Sequence, residues 1–395
     1  MDVRFSAEDE AFRAEFRAWL DENLPADWRD PAFWAGLDPD DAFEKRRVWE
    51  ADKAKAGWAG IQWPAEFGGR DGTPAQKAIY DEEMALANAP LTVNALGLTF
   101  LAPTVMAIGT PEQKKAIIGP LLRNEVIWCQ GFSEPDAGSD LAAVRTRGLL
   151  DGDEYVVNGQ KIWTSNALHA DHMFALVRTG GGERKHQGLT MLLIDLHSPG
   201  VDIRPLKQLS GANDFGEVFL DDVRVPRSEV LGAEGRGWDV AMLLLSFERG
   251  SSAIGQYTAY RLELDAIIDL ARRTERDGRP VAEHPVIRQQ IAALVVRLET
   301  LRLHSLHVLT QVERGRPLGA TSSLTKLQWS QTHQDIGDLF TEVAGADHQL
   351  TAPDTDPVLQ ELQRSFLWSR SETIWGGSSE IQRGIVAEQL LGLPR

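Results

Sequence analysis

Residues 130–140 read Gln-Gly-Phe-Ser-Glu-Pro-Asp-Ala-Gly-Ser-Asp, and residues 159–166 read Gly-Gln-Lys-Ile-Trp-Thr-Ser-Asn. In the first stretch the small residues Ala137, Gly138 and Ser139 sit among Ser133, Glu134 and Asp140, so the backbone can come close to a ligand. The second delivers an aromatic ring, Trp163, followed at once by two hydroxyls, Thr164 and Ser165. The intervening chain is punctuated by turn dipeptides and reads as a hairpin that brings the second stretch back toward the first. A ring to stack on, with hydroxyls or amides to meet a polar edge, suits a flat heteroaromatic cofactor. A flavin is the working reading.

Phe132 to Asp140 together with Gly159 to Asn166 resembles the flavin-binding signature of the acyl-CoA dehydrogenase family. Trp63-Pro-Ala-Glu-Phe-Gly-Gly69 resembles that family's N-terminal Pro-x-x-x-Gly-Gly loop. Trp375-Gly-Gly-Ser-Ser-Glu-Ile-Gln-Arg383 resembles its C-terminal motif, in matching order and spacing. The resemblance implies an α+β fold: an N-terminal helical domain, a central antiparallel β-domain and a C-terminal four-helix bundle. It also implies FAD as cofactor, an acyl-CoA substrate and an electron-transfer flavoprotein as acceptor. The assembly it implies is a homotetramer, as a dimer of dimers, or a heterotetramer with a related subunit.

Composition is consistent with that fold. The chain has 395 residues, 43% hydrophobic and 25% charged, enough for two or three domains and a large core. With 41 Lys plus Arg against 58 Asp plus Glu, the net charge is -17, which disfavours nonspecific association with nucleic acid or an anionic membrane. The single cysteine, Cys129, fits a reducing compartment and, within a strand, reads as core rather than nucleophile. No apolar run approaches the roughly twenty residues that span a bilayer. The acidic start, Met-Asp-Val-Arg-Phe-Ser-Ala-Glu-Asp-Glu, lacks the features of a signal peptide. The expectation is a cytoplasmic protein without a membrane segment.

Along the chain the hydrophobic period divides it into 1–125 (helices), 126–230 (strands) and 231–395 (helices). Ser6 with Asp9 predicts a capping box, followed by Phe12, Phe16, Trp19, Leu20 and Leu24 on one helical face, read as core packing. Thr73-Pro-Ala-Gln76 and Thr110-Pro-Glu-Gln113 predict two further starts, and Gly119-Pro120 a stop. Asp151-Gly152 and Asn158-Gly159 read as turns around Tyr155-Val156-Val157, with strands at 173–177, 189–196 and 218–225. Long helices are expected at 238–274, 284–313, 320–345 and 355–391, separated by 277–280, 315–317 and 352–353.

Desaturation of an acyl thioester needs a base for the α-proton and an acceptor for the β-hydride. Many family members carry the base as a Glu at the place here held by Gly376. A smaller branch carries it on a helix after the β-domain, immediately before an Arg, and Phe247-Glu248-Arg249-Gly250 resembles that arrangement. Glu248 follows Val240-Ala-Met-Leu-Leu-Leu-Ser-Phe247, so Leu244 and Leu245 are its preceding helical neighbours. An apolar surface of this kind raises a carboxyl pKa. The structural alternative is an ion pair with a basic residue on another helix.

The resemblance assigns further roles. Gln130, Phe132 and Ser133 would meet the isoalloxazine edge, and Trp163, Thr164 and Ser165 its face and N5 region. Ser139 would lie near both cofactor and thioester. Ser378 and Glu380 would meet the adenosine half, and Arg249 and Gly377 the substrate. Arg273 falls where the family's Arg-x-Phe-Gly segment contacts the FAD pyrophosphate of a neighbouring subunit. That segment departs here to Arg272-Arg-Thr-Glu-Arg-Asp-Gly278, and the family's Gln-x-x-Gly-Gly run to Glu342-Val-Ala-Gly-Ala346. Two other readings therefore stay open: an oxidase or monooxygenase on the same scaffold, and a noncatalytic subunit that completes a partner's site. No dinucleotide fingerprint, phosphate loop, Cys-x-x-Cys, nucleophile elbow or zinc spacing is present, and His304 and His307 read as surface or core residues.

Overall fold

The computed structural model describes residues 5–247, 253–316, 318–351 and 355–394. Helices come first: α1 Ala7–Asn23, α2 Pro31–Ala35, α3 Pro39–Lys55, α4 Pro74–Leu86, α5 Ala102–Ile108 and α6 Pro111–Leu122. Strands follow: β1 Trp128–Gly131, β2 Arg147–Asp151, β3 Glu154–Ser165, β4 His172–Arg178, β5 Leu189–Asp195, β6 Val201–Leu206, β7 Phe215–Pro226 and β8 Val230–Leu231. Helices close the chain: α7 Gly237–Phe247, α8 Ala253–Arg273, α9 Pro285–Glu313, α10 Thr321–Ala344, α11 Pro357–Glu372 and α12 Ser379–Ile385. The described residues fall into two compact units, one drawn from 1–42, 72–90 and 250–395, the other from 43–71 and 91–249.

The second unit is built on the sheet, whose strand order is β6-β7-β3-β2-β4-β5-β8 with β1 beside β4. Its pairing is antiparallel except where β1 runs parallel to β4 and β2 meets β4 in one parallel pair. β4 and β5 are buried on both faces. Phe174, Leu176, Met191 and Leu193 pack toward α5, α6 and α7 with Leu101, Leu121 and Leu244, while Met173, Ala175, Leu192 and Ile194 pack toward Tyr155, Val157 and Val218. Cladding on both sides explains why these strands read as continuous apolar runs. Cys129 is fully buried among the second set, and burial pushes its thiol pKa up.

In the first unit α8, α9, α10 and α11 form a bundle around Leu264, Ile267, Leu298, Leu301, Ile336 and Phe340. Leu264 and Ile267 on α8 and Ile336 and Phe340 on α10 recur at helical spacing, which turns each apolar stripe inward. α1 and α4 belong to the same unit, with Phe16 stacked on Tyr80 at 4.6 Å between ring centroids. All three expected capping boxes form, at Ser6, Thr73 and Thr110.

Three local expectations are corrected. Asn158-Gly159 is no turn; it lies inside β3 at a register shift, where a Cβ on Gly159 would stand 2.7 Å from the Thr146 Cα. Pro120 does not end α6, which continues two residues to Leu122 although the ring removes one backbone donor. The expected 355–391 helix breaks at 373–378, where Gly376 and Gly377 adopt φ of 64° and 83°. The 238–274 segment is helical where it is described, as α7 and α8, and 248–252 lie outside the described residues.

Candidate functional site

In the β unit the two halves of the opening motif are tied by a buried ion pair. Lys161 is fully buried, and its Nζ donates to Glu134 Oε1 at 2.8 Å and to the Leu176 carbonyl at 2.7 Å. The same Glu134 carboxylate accepts from the backbone amides of Arg145 and Thr146, the latter at 2.9 Å. Ile162 N donates to the Ser133 carbonyl at 2.9 Å, and Glu134 and Ala137 exchange two backbone bonds at 3.0 Å that close the loop. Burial alone would raise the Glu134 carboxyl, but the Lys161 charge and the bonds from Lys161, Thr146 and Arg145 outweigh it and hold it below the usual carboxylate range. Burial also pulls Lys161 down to about 8, with Glu134 opposing. Both residues belong to the motif, yet only their juxtaposition shows that they hold it together.

Directly after Lys161 the strand slips. The β3–β7 register shifts between Lys161 and Thr164, and Trp163 takes φ 58°, a left-handed conformation that is strained for a bulky residue. The slip turns the indole out of the pleat. It is 58% exposed and meets Phe215 edge-on at 6.0 Å. Ser133 and Ser165 are half-buried beside it in the motif, while Ser139 is exposed. Phe132 is buried and packs edge-on against Phe174 in the core, so what it can offer a ligand is backbone.

A cofactor fit can be tested on the polar atoms of this motif. Gln130 Nε2 and Thr164 Oγ1 are buried with no hydrogen-bond partner. Buried groups left unpaired cost about 1–3 kcal/mol each. One amide donor and one hydroxyl without partners, in a motif that also holds an outward indole and an open space around Gly138, fit a flavin's polar edge and flat face. Among the described residues no group of three or more His, Cys, Asp or Glu is placed to hold a metal ion.

The C-terminal motif lies in the helical unit. Gln382 Nε2 donates to the Gly376 carbonyl at 2.9 Å, and Gly377 takes φ 83°, a left-handed conformation that favours glycine. Ser378 caps α12, its Oγ accepting from Ile381 N. Its neighbour Glu380 is exposed and held below the usual carboxylate range, first by a backbone bond of its own and then by Ser378. Arg273 at the end of α8 pairs with Asp356 at 2.6 Å. The two segments that depart from the family pattern touch: Arg276 donates to the Glu342 carbonyl at 2.9 Å. Glu248 and Arg249 lie outside the described residues. The last residues before them belong to α7, where Leu244 is fully buried and Leu245 half-buried.

Three successive domain families match the chain: the acyl-CoA dehydrogenase N-terminal domain over residues 6–125, the middle domain over 129–223 and the C-terminal domain over 235–391. The chain belongs to the acyl-CoA dehydrogenase family. It is an oxidoreductase of that family, as the resemblance implied. It is 42% identical over 387 residues to acyl-CoA dehydrogenase IpdE1 of Mycobacterium tuberculosis, covering 98% of each chain. Among solved structures it is similar to the ChsE4-ChsE5 complex from Mycobacterium tuberculosis, with TM-score 0.86 and 29% identity over the full length of both chains. It is also similar to the Tcur3481-Tcur3483 steroid acyl-CoA dehydrogenase, with TM-score 0.85 and 30% identity, again over both full lengths. No helix among the described residues is long and apolar enough to cross a membrane.

Proposed function

We propose that this chain is an FAD-dependent dehydrogenase that introduces an α,β double bond into an acyl-CoA thioester, with Glu248 taking the α-proton. The observation that carries the reading is the motif at 130–165: a loop locked by Glu134 and Lys161, orphaned polar atoms at Gln130 and Thr164, and an indole turned outward by a strained backbone. FAD, when bound, supplies the acceptor for the β-hydride. Gln130, Ser133, Trp163, Thr164 and Ser165 would hold its ring, and Ser378 and Glu380 its adenosine half. Ser139 and Gly377 would position the thioester and Arg249 the CoA. The base falls to Glu248 because Gly376 leaves no side chain at the common position and because α7 leads into Glu248 with an apolar face. A carboxyl in apolar surroundings is tuned toward neutrality, the condition for abstracting a weakly acidic proton.

An electron-transfer flavoprotein would reoxidise the cofactor, with the enzyme working in the cytoplasm as a homotetramer or a heterotetramer. Likeness to a steroid acyl-CoA dehydrogenase supports a bulky acyl group. A second reading is favoured by one observation: Arg273 is engaged by Asp356 where relatives reach a neighbouring cofactor. The chain would then be one member of a heteromeric pair, as in the ChsE4-ChsE5 complex.

The test is anaerobic addition of straight, branched and steroid-derived acyl-CoA thioesters to the FAD-loaded protein. Bleaching of the visible flavin band is expected with the bulky members, and Glu248→Gln should slow it by about 10²–10⁴-fold. Undiminished bleaching in Glu248→Gln would remove Glu248 from the base role, and fast reoxidation by oxygen with ligand bound would make the protein an oxidase. Stoichiometric FAD and turnover without a partner would dismiss the heteromeric reading.

A further inference from the structure

The helical unit holds a second buried charge cluster, drawn from three helices far apart in sequence. His333 on α10 is 5% exposed, with Nδ1 2.6 Å from Glu372 Oε2 on α11. Its Nε2 is 3.0 Å from Glu263 Oε2 on α8 and 2.9 Å from Ser365 Oγ on α11. Tyr260 stacks on the imidazole at 4.2 Å and points its hydroxyl at Glu372 from 3.4 Å. Two carboxylates on opposite nitrogens require both to be donors, so the geometry is that of an imidazolium.

Glu372 is also the last residue of α11, and the Gly-Gly turn begins at the next position. α10 grips this junction at three points, two from adjacent residues and the third about two turns earlier. Lys326 Nζ donates to the Glu372 carbonyl at 2.5 Å, His333 holds the Glu372 carboxylate, and Gln334 Nε2 donates to Thr373 Oγ1 at 2.9 Å. Arg370 returns the grip, donating to the Gln334 carbonyl at 2.7 Å. Beyond the junction the turn carries Trp375, Gly376, Gly377 and Ser378, whose carbonyls at Gly376 and Gly377 are held by Gln382.

We propose that His333 is a positioning residue: its doubly hydrogen-bonded imidazolium fixes the α11 end from which the 373–378 turn departs, and so sets how firmly that turn holds the cofactor. The second half of this statement rests on the flavin reading above; the first does not. Burial works against the charged imidazole, but the bonds to Glu263 and Glu372 prevail and raise its pKa to about 9. Burial likewise raises Glu372, with His333 opposing. The other charged groups brought by packed elements have partners of their own. α9 presents Arg297, paired with Asp335 of α10, and His304 against Thr325; α12 presents Glu380, paired with Arg383; and Asp338 on α10 pairs with Arg370. Glu263 and Glu372 are therefore the carboxylates that set the His333 charge.

The experiment follows amide protection of residues 373–378 by hydrogen exchange and mass spectrometry, corrected for intrinsic rates, alongside FAD dissociation, between pH 6 and 10. In the wild type both protection and FAD retention should fall as pH rises through about 9, with an FAD affinity change of about tenfold. His333→Gln should be less protected at pH 6 and show no step. Glu263→Gln keeps the Glu372 bond and should move the step to lower pH, because one carboxylate no longer favours the proton. A purely structural role would lower protection at every pH without moving a step, and that result overturns the proposal, as does wild-type protection in His333→Gln. If His333→Gln does not fold, Glu263→Gln decides alone. If no FAD binds, the flavin reading fails while the exchange result still judges the His333 assignment.

Discussion

The Glu134–Lys161 pair of the β unit and the Glu263–His333–Glu372 bridge of the helical unit are both buried charge clusters, built in opposite ways. In the first, one ammonium meets one carboxylate, and the remaining bonds go to backbone groups of Arg145, Thr146, Phe132 and Leu176. In the second, two carboxylates share one imidazole, and Glu263 Oε1 has no partner. The difference shows in their response to alkali. Lys161 is held below its ordinary value, so the folded state sheds that proton first, and the Lys161 contribution improves as pH climbs from about 8 toward 10.5. His333 is held above its ordinary value, so its contribution is complete below about 6.5 and drains away as pH rises through about 9. Both clusters hold a proton at neutrality, and alkali moves their contributions in opposite directions: it relieves the cost of burying the Lys161 charge and removes the His333 imidazolium.

The largest effect should come from breaking the tie. Lys161→Met leaves the Glu134 carboxylate buried without its counterion and should cost about 3–5 kcal/mol, read as a lowered urea midpoint of the sheet signal. Adding Glu134→Gln to that variant should recover part of the loss, and no recovery would mean the pair is not the origin of the cost. Next comes the bridge. Raising His333 from 6.5 to about 9, at about 1.4 kcal/mol per pH unit, corresponds to about 3 kcal/mol. Thermal midpoints of wild type and His333→Gln should therefore differ most near pH 6 and converge near pH 10; a constant gap would sever the bridge from the proton. The smallest stability change should follow Trp163→Asn. The indole is largely exposed and Asn tolerates a left-handed backbone, so stability should shift by about 1 kcal/mol or less, while FAD retention measured by gel filtration drops. Equal retention would remove Trp163 from the cofactor site.

Much of this was legible in the sequence because the signals were local. Capping boxes at Ser6, Thr73 and Thr110 need only neighbours three residues apart, and the two-sided burial of β4 and β5 is written in their apolar runs. The misread Asn158-Gly159 illustrates the limit of local chemistry: the same dipeptide serves a hairpin or a bulge, and here Asn158 exchanges two bonds with Asp222, a partner 64 residues away. The break at 373–378 was hidden because Gly376 and Gly377 read as motif rather than as helix end. The His333 bridge left no local trace, since Glu263, His333 and Glu372 meet only once three helices are packed. The ion pair of Glu134 and Lys161 joins two residues of the motif 27 apart in sequence, and only the folded chain brings them into contact.

Cys129 has a practical consequence. The chain's single thiol is sealed inside the sheet, with its ionisation suppressed by burial, and the thiolate is the form that reacts with maleimides and nitroxide reagents. A cysteine introduced at exposed Ser139 or Trp163 would thus be the one group such labels find in the folded protein. Fluorescent and spin probes could be set on the motif loop without first rebuilding the core around a replaced cysteine.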